Sequence, residues 1–234
     1  MATNRRISVI VPALNEAGNL KQLIPALIEH GGPHVAEVIV VDGGSSDDSV
    51  QVARAAGAVT LVSPVRGRGP QMNVGVEQSA GDVLYFVHAD ARPPASYASD
   101  ILSALEDGAL AGCYRFTFDS PSRLLSINAY FTRFNRIWCR GGDQSLFLTR
   151  ATFDRLGGYR DDFVIMEDYD LIQRLQEAGP FRIIPKNVVV SARKYATNSY
   201  LRVQIANLIV MSMYRLGASQ ERMAGTYRRM LTLG

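Results

Sequence analysis

The sequence predicts an α/β fold with a mostly parallel central sheet, helices on both sides and C-terminal helices. Three observations carry that expectation. Short apolar runs at Ile7–Val11, Glu37–Val41, Thr60–Ser63 and Asp82–Asp90 alternate with helical stretches, the pattern of strand–helix–strand units. The runs are continuously apolar, as strands buried on both faces are. Three of them end in polar clusters, Pro12–Glu16, Asp42–Asp48 and His88–Asp90. In a parallel sheet such carboxyl ends share one rim, where ligands bind.

Each element has its own signal. After the first strand, Asn15 or the loop behind it caps a helix to about His30, with Leu20, Leu23, Ile24, Leu27 and Ile28 at helical spacing. Gly31-Gly-Pro33 stops it. The second strand is followed by a short helix to about Ala56. Arg66–Pro70 reads as a loop and Gln71–Ser79 as a helix closed by Gly81. Pro93 and Pro94 forbid the fourth strand to continue. Beyond it, Pro94–Leu105 is expected as a helix, Leu110–Phe118 as a strand, Ser122–Trp138 as a helix and Ser145–Thr149 as a short strand. Met166–Ala178 is expected as a helix and Phe181–Val190 as a strand.

The tail from Ser199 to Leu216 is an apolar helix interrupted by Arg202, Gln204, Asn207 and Arg215. It is too interrupted to span a bilayer. It packs on the core, on a second subunit as in a homodimer, or lays a face on a membrane surface. No repeat or long linker divides the chain. Residues 1–198 are expected as one domain, with halves 1–93 and 94–198, and residues 199–234 as a helical tail.

Composition narrows the function classes. Of 234 residues, 47% are hydrophobic and 20% charged, with a net charge of +3, too mild a balance to argue for nucleic acid. Cys113 and Cys139 lie far apart and belong to no metal-ligand spacing, which suits a reducing compartment. No apolar leader follows Met1, so the expected location is cytoplasmic, with peripheral membrane contact through the tail as the variant. The first strand is followed by no G-x-G-x-x-G and no G-x-x-x-x-G-K-[ST], which disfavours nicotinamide enzymes and P-loop ATPases.

His88 and Asp90 are two residues apart, so on an extended strand they leave the same face. An imidazole and a carboxylate there suit a divalent cation, or equally a polar strand end meeting solvent. Glu167, Asp168 and Asp170 open a helix, where carboxylates complement the N-terminus or provide a base. Adjacent helical residues point about 100° apart, so Glu167 and Asp168 are not expected to face a crevice together.

Taken together, Pro-Ala-Leu-Asn-Glu16, Val-Val-Asp-Gly-Gly-Ser-Ser-Asp47, His88-Ala-Asp90 and Met-Glu-Asp168 resemble, in order and spacing, the family 2 glycosyltransferases of GT-A fold. The likeness covers essentially the whole chain. Gly67–Gly75, Gly141–Gln144 and Tyr214–Gly217 with Tyr227-Arg228 also resemble a bacterial subfamily associated with arsenosugar biosynthesis.

The resemblance implies a metal-dependent, inverting transfer of a sugar from a nucleotide diphosphate sugar, a UDP-sugar, to a hydroxyl acceptor. It assigns Asp42 to the base or ribose, with Pro12, Ala13 and Glu16 lining the same pocket and Arg68 near the nucleotide. Mg2+ or Mn2+ falls to Asp90, with His88 in the family's first ligand position, where an imidazole suits Mn2+ better. Asp168 becomes the catalytic base. Gly142, Asp143, Gln144 and Glu167 are assigned to donor sugar and acceptor, and Arg193 and Lys194 to the diphosphate. The competing readings are transfer to a polyprenyl phosphate at a membrane and a non-catalytic sugar-nucleotide-binding protein.

Overall fold

The computed structural model describes residues 5–232, and the reading of Met1–Asn4 lies outside them. β1 (Ile7–Ala13), α1 (Ala17–Gly31), β2 (Val35–Asp42), α2 (Ser49–Ala55), β3 (Val59–Val62), α3 (Arg68–Glu77) and β4 (Val83–Phe86) alternate as expected. Then come β5 (Ala91–Arg92), α4 (Tyr97–Glu106), β6 (Ala111–Phe118), α5 (Arg123–Phe131), β7 (Leu146–Thr149) and α6 (Arg150–Leu156). The chain continues through α7 (Glu167–Ala178), β8 (Phe181–Val190), α8 (Lys194–Thr197), α9 (Tyr200–Arg215) and α10 (Gln220–Met230).

The strands form one sheet in the order β3-β2-β1-β4-β7-β6-β8-β5. β1 pairs in parallel with β2 and β4, β2 with β3, and β6 with β8. β7 runs antiparallel between β4 and β6. The sheet is mixed and mostly parallel.

Alternation sends side chains to opposite faces. Val9, Val11, Val40 and Tyr85 pack with Leu20, Leu23 and Ile24 of α1 and Ile101 of α4. Ile10, Ile39, Leu84 and Phe86 face the other way, against Met72 and Val76 of α3 and Leu171 and Leu175 of α7. Burial on both faces is what made these strands read as unbroken apolar runs. Gly75 lets α3 lie close on the sheet, because a Cβ there would sit 2.5 Å from Ile10 Cγ2.

Several boundaries differ from expectation for local reasons, while β8 keeps its expected Phe181–Val190 span. α3 begins at Arg68, not Gln71, and Pro70 is tolerated because it falls in the first turn, where no intrahelical N–H bond is lost. α5 stops at Phe131, well before Trp138. The buried Arg140 guanidinium donates to the carbonyls of Thr132 and Phe134, both at 2.5 Å, and so takes acceptors that a longer helix would need. β8 carries Pro185 because the β6–β8 register jumps from Tyr114↔Ile184 to Arg115↔Asn187, a bulge that spares proline a ladder bond.

A further difference concerns the rim. β4 ends at Phe86, and the chain crosses to the far edge of the sheet, where Ala91 and Arg92 pair with Val190 and Val189. His88 and Asp90 therefore lie in the crossing, and strand alternation does not put them on one face.

No helix among the described residues is long and apolar enough to cross a membrane. α9 buries Val203, Ala206 and Val210, the first two beside Tyr227 and Leu231.

Gly112 in β6 has no room for a side chain: a Cβ would lie 2.3 Å from the Arg182 carbonyl oxygen and 2.5 Å from the Phe147 ring. Gly112→Ala is expected to cost about 1–3 kcal/mol, at roughly 2–4 °C of Tm per kcal/mol for a chain of this size. A thermal melt identical to that of the parent chain would contradict this packing.

Candidate active site at the carboxyl rim

The loops after β1 and β2 are bound to each other. Ala13 and Asp42 are register partners, and Gly43 N–H donates to the Ala13 carbonyl at 2.8 Å. Gln71, buried under both strands, donates its amide to the carbonyls of Ala13 (2.9 Å) and Val41 (2.7 Å). Asn15, at φ 55°, accepts from Ser46 N–H at 2.8 Å and donates its own N–H to Ser45 Oγ at 2.8 Å. Its work is to join the loops; Glu16, not Asn15, stands at the N-cap of α1.

Asp42 is 4% exposed, and Oδ2 accepts from the N–H groups of Gly44 and Ser45, both at 2.9 Å. Its other oxygen accepts from the Ser45 hydroxyl. The carboxylate thus caps its own loop, as aspartate does in an Asx turn. An ionised carboxylate has about four acceptor sites, so Asp42 keeps little beyond one for a ligand donor. Pro12 and Ala13, the last residues of β1, are buried, and the Ala13 side chain belongs to the core.

α7 meets the same rim end-on. Met166 takes a left-handed turn at φ 67° to start it. Glu167 and Asp168 are both buried. Contrary to the 100° argument, both face the site, because the first turn of a helix met end-on fans around the axis. Glu167 Oε1 lies 3.8 Å from Arg68 Nη1. Asp168 Oδ1 accepts from the Tyr159 hydroxyl at 3.4 Å, and Oδ2 lies 4.0 Å from His88 Nε2. His88 Nδ1 is 3.6 Å from Asp143 Oδ1. Gly142 closes the group: a Cβ there would be 2.1 Å from Asp168 Oδ2 and 2.6 Å from His88 Cε1. Asp170 turns away to Arg174, Oδ2 to Nη2 2.6 Å, and is structural.

The charges respond to this crowding. Burial and the adjacent Asp168 push the Glu167 carboxyl up, against the pull of Arg68. Burial disfavours the His88 cation, but the Asp143 carboxylate facing Nδ1 and the Asp168 charge outweigh it and Arg68, raising the imidazole pKa. Partial desolvation opposes ionisation of the half-exposed Asp143, yet the nearby His88 imidazole and the charges of His88, Lys194 and Arg68 hold its carboxyl at about 2. Partial desolvation opposes the charge of the half-exposed Arg68, and Glu167, Asp168, Asp143 and Asp90 reverse that, raising its pKa. Burial keeps Tyr159 a neutral phenol, reinforced by Asp168 and Glu167.

Among the described residues no three His, Cys, Asp or Glu side chains converge as a metal cage. Asp90 Oδ2 lies 3.2 Å from Arg193 Nη2. The same guanidinium grips Glu16 with both prongs, Nη1 at 3.0 Å. A rim carboxylate already balancing a cation fits Mg2+ or Mn2+, hard ions that take one or two carboxylates and complete their shell with water and substrate phosphates. His88 fits less directly, since each ring nitrogen faces a carboxylate.

Two expected contacts are turned elsewhere. Gln144 is 1% exposed, with Nε2 donating to the Tyr114 carbonyl at 3.2 Å, so it faces the fold and not a sugar. Lys194 donates to the Tyr227 hydroxyl at 2.9 Å, away from the Arg193–Asp90 pair. Sequence reasoning missed Gln71, Asn73, Tyr159 and Arg140. Asn73 pins Tyr159 by accepting from its N–H at 3.1 Å and donating to its carbonyl at 2.8 Å. Polar Gln71 and Asn73 inside the Gly67–Gly75 stretch were the available signal for that pair. Arg140, between Cys139 and Gly141, had none.

Known proteins share this arrangement of elements. The mannosyltransferase PcManGT of Pyrobaculum calidifontis, solved with GDP-Man and Mn2+, superposes with a TM-score of 0.65 at 20% identity over 91% of this chain and 64% of that one. Mycobacterium tuberculosis glucosyl-3-phosphoglycerate synthase, solved with Mn2+, UDP-Glc and phosphoglyceric acid, gives 0.63 at 20% identity over 92% and 80%. In sequence, the succinoglycan biosynthesis protein ExoA of Rhizobium meliloti is 28% identical over 194 residues, covering 73% of this chain and 58% of that one. The chain spans between 31% and 58% of the first curated relatives it matches. The profile described as Glycosyl transferase family 2 matches residues 8–156, more than half of the sequence. By that match the chain belongs to glycosyl transferase family 2.

Proposed function

We propose that the chain is a metal-dependent, inverting glycosyltransferase that moves a hexosyl group from a nucleotide diphosphate sugar, a UDP-sugar, to a hydroxyl acceptor. The observation that carries this is the buried Asp168 carboxylate at the head of α7, held between the Tyr159 hydroxyl at 3.4 Å, His88 Nε2 at 4.0 Å and the bare Cα of Gly142. In a single in-line displacement the acceptor oxygen attacks the anomeric carbon, its proton passes to Asp168, and the bond to the diphosphate breaks with its electron pair. Residues 1–93 serve the nucleotide through Pro12, Ala13, Glu16, Asp42 and Arg68. Residues 94–198 serve donor sugar and acceptor through Gly142, Asp143 and Glu167.

Asp90 would hold Mg2+ or Mn2+, with His88 joining only as the neutral base. A bound ion there supplies Lewis-acid neutralisation of the leaving diphosphate. Support comes from the Arg193–Asp90–Glu16 group and from the Mn2+ in the two solved relatives. Arg193 would exchange these carboxylates for diphosphate oxygens, while Lys194 stays bonded to Tyr227.

The arsenosugar likeness stays a proposal on its motifs alone. Gln71, Asn73 and Gly75, which carry part of it, have architectural work here, and a shared architecture need not carry an acceptor. A second reading, transfer to a lipid phosphate at a membrane, draws on the exposed Leu201, Ile205 and Leu208 of α9.

Asp168→Asn is expected to reduce transfer by at least about a hundredfold while UDP-sugar binding stays within about twofold. Gly142→Ala should do the same by displacing Asp168. A phosphate acceptor needs no base, so an active Asp168→Asn enzyme would overturn the hydroxyl-acceptor reading. Removal of divalent ions with a chelator should abolish transfer, and Asp90→Ala should reproduce that loss with Mn2+ present. Full activity of Asp90→Ala at low Mn2+ would remove Asp90 from the metal.

A further inference from the structure

A cleft of about 320 Å³ opens beside Asp143 and Gly141, at the end of the site away from the nucleotide loops. Phe116, Phe131 and Trp138 line it, and Asn128 and Gln204 enter from α5 and α9. The Phe131 and Trp138 ring centroids are 6.0 Å apart. Outside the cleft the helices stay apolar: Leu124 and Ile127 on α5 and Leu201 and Leu208 on α9 are at least half exposed. The volume is that of a small-molecule site, and aromatic walls with a few polar groups are the usual lining of one.

The charges in its wall discriminate between occupants. Its guanidinium, Arg140, is buried: Nη1 donates to Cys113 Sγ (3.0 Å), Nη2 to the carbonyls of Thr132 and Phe134, and Nε is enclosed without a partner. His88, Arg68 and Lys194, the cations acting on Asp143, are not in the wall, and Lys194 is bonded to Tyr227. The one outward charge is the Asp143 carboxylate, which repels an anion and accepts from a hydroxyl. Two amides and one carboxylate facing aromatic rings match a neutral molecule with hydroxyls on one edge and an apolar body.

We infer that this cleft is the acceptor subsite, and that it takes a neutral, hydroxyl-bearing amphiphile. The acceptor hydroxyls lie toward Asp143 and the apolar body runs out between α5 and α9. The inference rests on the glycosyl-transfer reading above and specifies its acceptor. A lipid phosphate is the competing occupant, and the only cation of the wall, Arg140, is enclosed.

Trp138 is the single tryptophan of the chain, so its emission reports binding beside it without donor or turnover, and Phe131, which lines this cleft but not the neighbouring one formed with Arg136 and Arg215, assigns the signal. Octyl glucoside, kept below micelle formation, is titrated into the full chain, with glucose and octyl phosphate as comparisons. Octyl glucoside should give a saturable blue shift, with both comparisons at least about tenfold weaker and Phe131→Ala weakening it by a similar factor. No saturable change, octyl phosphate binding as tightly as octyl glucoside, or an unaffected Phe131→Ala chain would overturn the assignment. Calorimetry of UDP with Mn2+ on the same preparation reports separately on the donor side. UDP binding with a silent Trp138 would reject the acceptor class and leave the transferase reading standing.

Discussion

Two adjacent carboxylates, Glu167 and Asp168, are buried at the start of α7, and much of the molecule follows from keeping them there. Burying ionised groups without partners is costly. Part of the compensation is the helix N-terminus itself. Arg68 supplies a cation to Glu167, while His88 and the Tyr159 hydroxyl attend Asp168. Those partners come from three parts of the chain, so the carboxylates tie α3, the crossing after β4 and the segment before α7 to one point.

That requirement explains α3 residue by residue. The helix starts at Arg68 and so directs its first side chain at Glu167. Gly69 leaves the helix close to Tyr159 and Glu167, with a Cβ there 3.5 Å and 3.7 Å from their Cβ atoms. Gln71 joins the ends of β1 and β2, Asn73 fixes Tyr159, and Gly75 seats the helix on Ile10. A stretch that reads in sequence as a loop followed by an ordinary helix is the joint between the loops after β1 and β2 and the acidic end of the site.

What was legible in the sequence was whatever depends on local pattern. Unbroken apolar runs marked β1, β2 and β4, and parallel topology placed their carboxyl ends on one rim. Features set by a distant partner were not legible. The end of α5 depends on Arg140, which reaches back to Thr132 and Phe134. Asp42 could have been left free by Ser45, but Ser45 donates to it instead. Gln144 looked like a loop residue and is drawn inward by the Tyr114 carbonyl. The His88-Ala-Asp90 stretch belongs to a crossing, so its two polar residues part company: His88 faces Asp143 and Asp168, and Asp90 faces Arg193. The acidic residues of α7 were seen individually; their convergence required the end-on approach of the helix.

The central claim is that the two bound loops and the Arg193–Asp90 group form one donor site for a nucleotide diphosphate carried with a metal ion. Thermal unfolding of the intact chain against a panel of nucleotide sugars, with and without Mn2+, tests it most directly. Ligand at about a hundredfold over its Kd stabilises the folded state by about 2.7 kcal/mol. A UDP-sugar should therefore raise Tm by several degrees with Mn2+ and by much less without it. A panel in which no nucleotide sugar moves Tm in the presence of Mn2+ would contradict the account.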